Sequence, residues 1–355
     1  MIGGTWPYRV PLYEDELLSS FLVRNAYAHG TTPYCFLNLY WPGKHIWNRD
    51  IDRTVDHDWL DALAILAGIP AAQLEASTLL PLRAILGSTL RNGDTPLLLS
   101  ASVFHRTRRR HSLQFCPICL VEGRRWFRRI WRLGFVFVCP EHGNALLDAC
   151  PKCGSPVVPH RSLGLDPSRC HQCGTFLGNE ARETLLQTGV LEWQNLLLGA
   201  LSSPPRLAGP FVQSEAFAVV RSLLSVLTPR PVHTAIREAV HLPLVALPAD
   251  RLQFEHARIR ERALLMETLA AWVADWPVTF RRGAHAARLT QRAFRRLTQP
   301  ATLRSEVEQL PLGIARDRAY VPKVLDNQLR RLARKDRSAY RALRARRLQE
   351  LVGLV

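Results

Sequence analysis

No apolar run in this sequence is long enough to cross a bilayer, and the opening MIGGTWPYRVPLYEDE has no basic patch followed by an apolar stretch. A protein that is neither exported nor held in a membrane is therefore expected. The nucleotide-binding patterns G-x-x-x-x-G-K-[ST] and G-x-G-x-x-G are missing, as are the hydrolase patterns G-x-S-x-G and H-E-x-x-H. ATP binding by a P-loop is excluded, and the expectation is a protein that is not an enzyme. Carboxylates are scattered. The densest group, Glu14, Asp15 and Glu16, reads as the first turn of a helix, where the helix dipole stabilises negative charge. A metal-dependent nuclease needs two or three converging carboxylates, and it stands as the competing enzymatic reading.

Lysine is nearly absent too: only 4 of the 47 basic residues are lysine, and the rest are arginine. Arginine suits bidentate contact with phosphate. With 47 basic against 30 acidic residues, the formal charge of +17 points to a polyanionic partner, nucleic acid first. A GC-rich genome would explain arginine over lysine, but not the excess of positive charge. At 355 residues with 47% hydrophobic content, the chain can bury sizeable cores.

Cysteine is sparse and concentrated. Of eight, seven lie between Cys116 and Cys173, and with one histidine they form four pairs at a two-residue gap. The pairs are Cys116 and Cys119, Cys139 and His142, Cys150 and Cys153, and Cys170 and Cys173. A tight turn at this gap aims both side chains at one tetrahedral centre, which suits Zn2+ with its tolerance for thiolate and imidazole together. Two structural zinc ions are expected, one held by three thiolates and an imidazole and one by four thiolates. Closed four-ligand sites leave no position for water or substrate, so neither is expected to be catalytic. The same residues also fit a cross-braced arrangement, first pair with third and second with fourth. His171 or His160 could replace a thiolate. A disulfide framework is disfavoured, because seven cysteines cannot pair off internally and no export signal precedes them. Cys35 stands apart and reads as a small buried core residue.

The fold class expected is mainly α, with small zinc-bound β or knuckle elements. It divides into an N-terminal helical, helix-turn-helix-like domain over 1–100, a tandem zinc-finger region over 101–180, and a helical C-terminal region over 181–355 with a strongly basic end. Leu17, Leu18, Phe21 and Leu22 recur at helical spacing, Gly30 stops that helix, and Thr31-Thr32-Pro33 starts another. In WLDALAILAGIPAAQLEAS, from Trp59 to Ser77, Ala64 would sit where two helices cross, Gly68 would supply a left-handed turn, Ile69 would enter the core and Leu74 would anchor the second helix. A plain helical hairpin fits the same residues. Alternation from Phe127 to Phe137 suggests a strand with aromatics in the core beneath an arginine-lined surface; phosphate binding with base stacking is the other reading of that strip. Arg251 to Trp276 reads as one long helix or two short ones. RLTQRAFRRLTQ (Arg288 to Gln299) and QLRRLARKDRSAYRALRARRLQELV (Gln328 to Val352) carry leucines at helical spacing opposite arginines. The nucleic-acid contacts expected are Arg108, Arg109, Arg110, Arg288, Arg292, Arg295, Arg296, Arg330, Arg331, Arg334, Lys335, Arg341 and Arg344. No internal repeat is evident beyond the zinc pairs.

The order F-C-P-x-C-L (Phe115 to Leu120), R-R-x-W-R-L (Arg128 to Leu133), V-C-P-x-H-G-x-x-L-L (Val138 to Leu147), C-P-x-C-G (Cys150 to Gly154) and C-x-x-C-G (Cys170 to Gly174) resembles the TniQ family, which includes the target selectors called TnsD. The opening W-P-Y-R-V-P-L-Y-E-D-E-L-L-S-S-F-L-V-R looks like the start of that family as well. The resemblance implies a role in DNA transposition, in proteins that are not transposases but choose where the element goes. Some members read target DNA through helix-turn-helix units. Shorter members dimerise and dock on an RNA-guided CRISPR effector complex, and both kinds pass the choice to an AAA+ ATPase. It thus implies as partners that ATPase, a CRISPR effector with guide RNA or target DNA, a possible second copy of the chain and no membrane, in a prokaryotic cytoplasm near the nucleoid. A sequence-specific zinc-containing transcription regulator is the alternative.

Overall fold

The computed structural model describes residues 4–87, 94–101, 103–104, 107–108, 110–179, 188–201, 207–208, 211–245, 247–248, 252–295, 299–313, 336, 338–343 and 345. The chain divides into two compact units, 1–311 and 312–355. Helices carry the fold, and the strands named among the described residues form two hairpins of two-residue strands, Val103–Phe104 (β1) with Thr107–Arg108 (β2) and Leu207–Ala208 (β3) with Phe211–Val212 (β4).

The first helix, α1 (Leu18–Ala28), buries Leu18, Phe21, Leu22 and Ala26 on one face. Its first N–H groups need acceptors from outside the helix. Leu18 N–H donates to the Ser77 carbonyl at 2.9 Å, and Ser19 donates from N and Oγ to the Asp52 carboxylate at 2.8 and 2.7 Å. The anion at this terminus is therefore Asp52, contrary to the expectation for Glu14, Asp15 and Glu16. Asp15 has a positive φ of 58°, and Glu16 forms a β-bridge to Arg128, so both precede the helix. Gly30 (φ 68°) ends this segment, and Thr32 caps α2 (Pro33–Tyr40) by accepting from Cys35 N–H. That helix buries Pro33, Phe36 and Leu37. Cys35 lies on the opposite face and is exposed, which corrects its reading as a core residue.

Helices α3 (His57–Ala67) and α4 (Ala71–Ala76) are joined by Gly68 in the left-handed region, φ 65° and ψ 32°. Leu74 is fully buried, and Ala64 and Ile69 pack beside it, as the spacing requires. With Trp6, Phe36, Trp47 and Trp59 they close a core confined to the N-terminal helices. Helix α5 (Leu80–Leu86) leads away from it and contributes Leu82 and Leu86 to a second, larger core.

The larger core runs from Leu17 through the cysteine-rich segment to Val307. Helix α6 (Pro117–Val121) enters it from the cysteine-rich side, and α7 (Thr188–Gly199), α8 (Gln213–Leu227), α9 (Arg230–Ala239), α10 (Ile259–Val273), α11 (Val278–Ala286), α12 (Gln291–Phe294) and α13 (Ala301–Val307) complete it. The Arg251 to Trp276 segment resolves into a short 3-10 turn, Phe254–His256, and α10. Arg288 to Gln299 is not a single helix, because Arg288 has φ 50° and Thr290 is extended, so α12 starts only at Gln291. In the second unit, Asp336 accepts from Ser338 and Ala339 N–H at 2.9 and 3.0 Å and opens a helical turn over residues 338–343.

Phe127 to Phe137 is not a strand. Residues Arg129–Arg132 form a 3-10 turn, and from Trp131 to Phe137 every residue is buried, Arg132 included. Consecutive burial leaves no alternating arginine-lined face.

His233 on α9 is fully buried against α10. The Thr268 hydroxyl has one proton, which it donates to the Leu264 carbonyl at 2.9 Å, so it accepts from Arg237 at 2.9 Å and from His233 Nε2–H at 3.0 Å. His233 Nδ1 then has no partner. Burial, with the Arg237 charge adding to it, holds the imidazole down to about 4. The unfolded chain takes up this proton near the ordinary histidine value while the folded one does not. Stability is therefore expected to be complete above about pH 6.5 and to fall on acidification toward pH 4, by at most about 1.4 kcal/mol per pH unit. Denaturant titrations across that range should show this slope in the wild type and a flatter one in His233→Gln.

Candidate metal centres and basic surfaces

Cys116 immediately precedes α6 and Cys119 lies on its first turn. Cys139 and His142 sit on a tight turn closed by Gly143 N–H donating to the Cys139 carbonyl at 2.9 Å, with Gly143 at φ 60°. A side chain at 143 would be strained in this conformation. His142 Nδ1 is 3.5, 3.3 and 3.5 Å from the sulfurs of Cys116, Cys119 and Cys139. Its Nε2 meets Glu122 Oε2 at 3.0 Å, a carboxylate that fixes the ring and leaves Nδ1 as the inward ligand. Without a cation the thiols conflict. Hydrogen bonds from Cys116 and then Cys119 hold the Cys139 thiol well below the ordinary thiol range, whereas Cys119, crowded by Cys116 and Cys139 and buried, is pushed far up. A divalent ion at the centre removes this conflict, so the donor set fits a metal.

The second group, Cys150, Cys153, Cys170 and Cys173, comes from two matching turns. Gly154 N–H donates to the Cys150 carbonyl at 2.9 Å and Gly174 N–H to the Cys170 carbonyl at 3.0 Å, both glycines at φ 71°. Sulfurs of Cys150 and Cys173, and of Cys153 and Cys170, lie 3.6 Å apart. Ser155 Oγ is 3.2 Å from both Cys153 and Cys170, and Cys173 is 3.4 Å from Thr175 Oγ1. In each group the ligand atoms lie within 4.8 Å of one another, and either group could hold a metal ion. The pairs assemble in order, first with second and third with fourth, so the cross-braced alternative is not adopted. His171 and His160 belong to neither group, and the His160 ring stacks on Trp47 instead, 4.7 Å between centroids. The first pair departs from the expected tight turn because it rides on α6.

A family model described as TniQ matches residues 7–146. Over that stretch, which is less than half of the chain, the sequence is similar to the TniQ family. The family is associated with target selection in transposition, and its members are generally non-catalytic. No curated protein is similar enough to the chain to count as a match. The TniQ stretch contains the whole first metal group and ends before the second. Among the described residues no helix is long and apolar enough to cross a membrane.

Within the TniQ stretch the arginines of RRWFRRIWR are taken up by carboxylates. Arg124 pairs with Glu141 and Glu122, Arg125 with Asp166, Arg128 with Glu141 and Asp15, Arg129 with Asp15, and Arg132 with Asp50 and Asp52. Trp126 stacks on Tyr13, 4.2 Å between centroids, and Phe127 and Trp131 are buried. The strip binds the segments around it together.

The other expected nucleic-acid contacts separate. Arg288, Arg292 and Arg295 are exposed around α12, Arg341 is exposed on the turn over 338–343, and Arg110 is half-buried. Arg108 is placed by its backbone on β2. Its side chain, and Arg109, Arg296, Arg330, Arg331, Arg334, Lys335 and Arg344, lie outside the described residues. Sequence reasoning missed Glu122, whose only signal is its place three residues after Cys119. It also missed exposed Arg282 and His285 on α11, which fall in a stretch without carboxylates from Trp276 to Ser305.

Proposed function

We propose that this chain is a non-catalytic target-selection adaptor of DNA transposition. It connects a target-recognition module, either an RNA-guided CRISPR effector complex or target DNA bound directly, to an AAA+ transposition regulator. The TniQ match over residues 7–146 is the observation that carries this reading. The metal groups support its non-catalytic part: each has four protein ligands, the set that closes a tetrahedral Zn2+ site and leaves no position for water or substrate. Both ions are accordingly structural zinc, and their work is to hold a rigid platform between the helical parts.

The test is purification of the tagged full chain from cells that carry its neighbouring genes, followed by mass measurement of what accompanies it, together with mapping of insertions after the gene is deleted. An AAA+ ATPase in the purified complex and a redistributed insertion pattern are expected. Recovery of no such ATPase together with an unchanged insertion pattern would overturn the reading.

A further inference from the structure

Beyond the TniQ match, a groove runs where the second metal group meets α10. Asp148, two residues before Cys150, is buried and clasps the two together: its oxygens accept from the Arg258 guanidinium at 3.0 Å each, and Oδ2 also accepts from Ile259 N–H at 2.9 Å. This bidentate link holds the start of α10 against the turn that carries Cys150. Between them lies a cavity of about 590 Å³, a volume typical of clefts that seat a bound molecule. Half-buried Leu147, Ala149, Ile259 and Leu264 line it, together with Val245 and Pro248, which are exposed. Leu244, beside Val245, is exposed too.

What such a groove takes follows from its chemistry. Among the described residues no aromatic ring lines it, so a nucleobase has nothing to stack on. Aliphatic walls suit instead the apolar side chains of a peptide, arriving at alternate or helical spacing. The edge is basic. Arg260 is exposed and meets no carboxylate among the described residues, and the same holds for Lys152, on the turn between Cys150 and Cys153. Both acidic groups of the lining are engaged, Asp148 by the Arg258 side chain and Glu261 by Arg258 N–H at 2.7 Å. A second copy of a chain with a formal charge of +17 would bring like charge to this edge. An acidic segment with apolar anchors is complementary in both respects. Because the Asp148 clasp fixes the walls beforehand, such a segment would not have to order them.

We propose that the groove between the second metal group and α10 docks an acidic peptide segment of another protein, whose large apolar side chains pack on Leu147, Ile259 and Leu264 while its carboxylates meet Arg260 and Lys152. Docking here does not depend on the target-selection reading, because every lining residue falls after residue 146. The test is selection of a displayed random-peptide library on the metal-loaded full chain, followed by titration of an enriched peptide. Enriched sequences should combine leucine, isoleucine or phenylalanine anchors with flanking aspartate or glutamate. Val245→Glu, which puts a carboxylate in the groove, should weaken the enriched peptide about tenfold or more. Arg260→Glu should slow its association and remove part of the salt dependence. Ile65→Glu, at another exposed apolar position, on α3, should bind as the wild type does. All three altered side chains are exposed, so metal content and melting temperature should stay at wild-type values. Failure to enrich any peptide, enrichment of basic peptides, or wild-type binding by both groove variants would overturn the proposal. So would a wild-type dimer that Val245→Glu dissociates, because the occupant would then be a second copy. A peptide that docks as expected while insertions never depend on the chain sinks the target-selection reading alone. Insertions that depend on the chain while no acidic peptide docks sink this site alone.

Discussion

Chelating metal from the full chain is expected to proceed in two stages, with a small loss of structure first and collapse of the larger core second. The second group is the accessible one: Cys153 is exposed and Cys173 half-buried. Its ion should leave first and release the two turns around it. Cys116, Cys119 and Cys139 are buried among Phe115, Leu120 and Phe137, so their ion can leave only when that core opens. A structural zinc site contributes on the order of 10 kcal/mol to folding, and a whole domain has a net stability of about 5–15 kcal/mol. Loss of the inner ion should therefore unfold the larger core. Metal content per chain, followed alongside tryptophan fluorescence and circular dichroism during chelation, checks this. Cys153→Ser should stay soluble with a lowered melting temperature, and Cys116→Ser should be insoluble or partly unfolded. A chain that has lost both ions and melts as before would refute structural metal.

How much of this was legible in the sequence depended on how far apart the interacting residues lie. Both metal groups were readable because each ligand pair is set by a local turn, and adjacent pairs then meet first. Gly30, Thr32 and Gly68 announced helix ends through their own backbone preferences. The break at Arg288 was hidden because an arginine occupies the left-handed position where glycine would have given it away, and the leucines around it extend a helical pattern across the break. Cys35 was misassigned because cysteine chemistry does not reveal which side of α2 faces inward; Phe36 and Leu37 decide that. The arginine strip was the least readable element. Its partners Asp15, Asp50, Glu141 and Asp166 are spread along the chain, and charge composition alone does not distinguish an arginine waiting for phosphate from one already paired.

Arg132 is the arginine of that strip on which the most structure depends, and Arg132→Ala is expected to cost roughly 3–5 kcal/mol, a large share of the total stability. The guanidinium is fully buried and bridges Asp50 Oδ2 at 2.5 Å, Asp52 Oδ2 at 3.3 Å and the Leu99 carbonyl at 2.9 Å. Asp52 is fully buried as well and also accepts from Ser19 at the start of α1. Removing the cation leaves two neighbouring carboxylates, one of them sealed from water, with the neutral Ser19 amide and hydroxyl as donors to Asp52 in place of a full positive charge. The N-terminal helices would lose their charged link to the cysteine-rich segment. Lysine supplies charge without the planar fork, so Arg132→Lys should recover only part of the loss. Replacing the carboxylates too, as Arg132→Met/Asp50→Asn/Asp52→Asn, should be less damaging than Arg132→Ala, because no buried charge is then left unpaired. Denaturant unfolding of the metal-loaded proteins ranks the variants. If Arg132→Ala matched the wild type, or if the triple variant were the worst of the set, the cost would not lie in stranded buried charge.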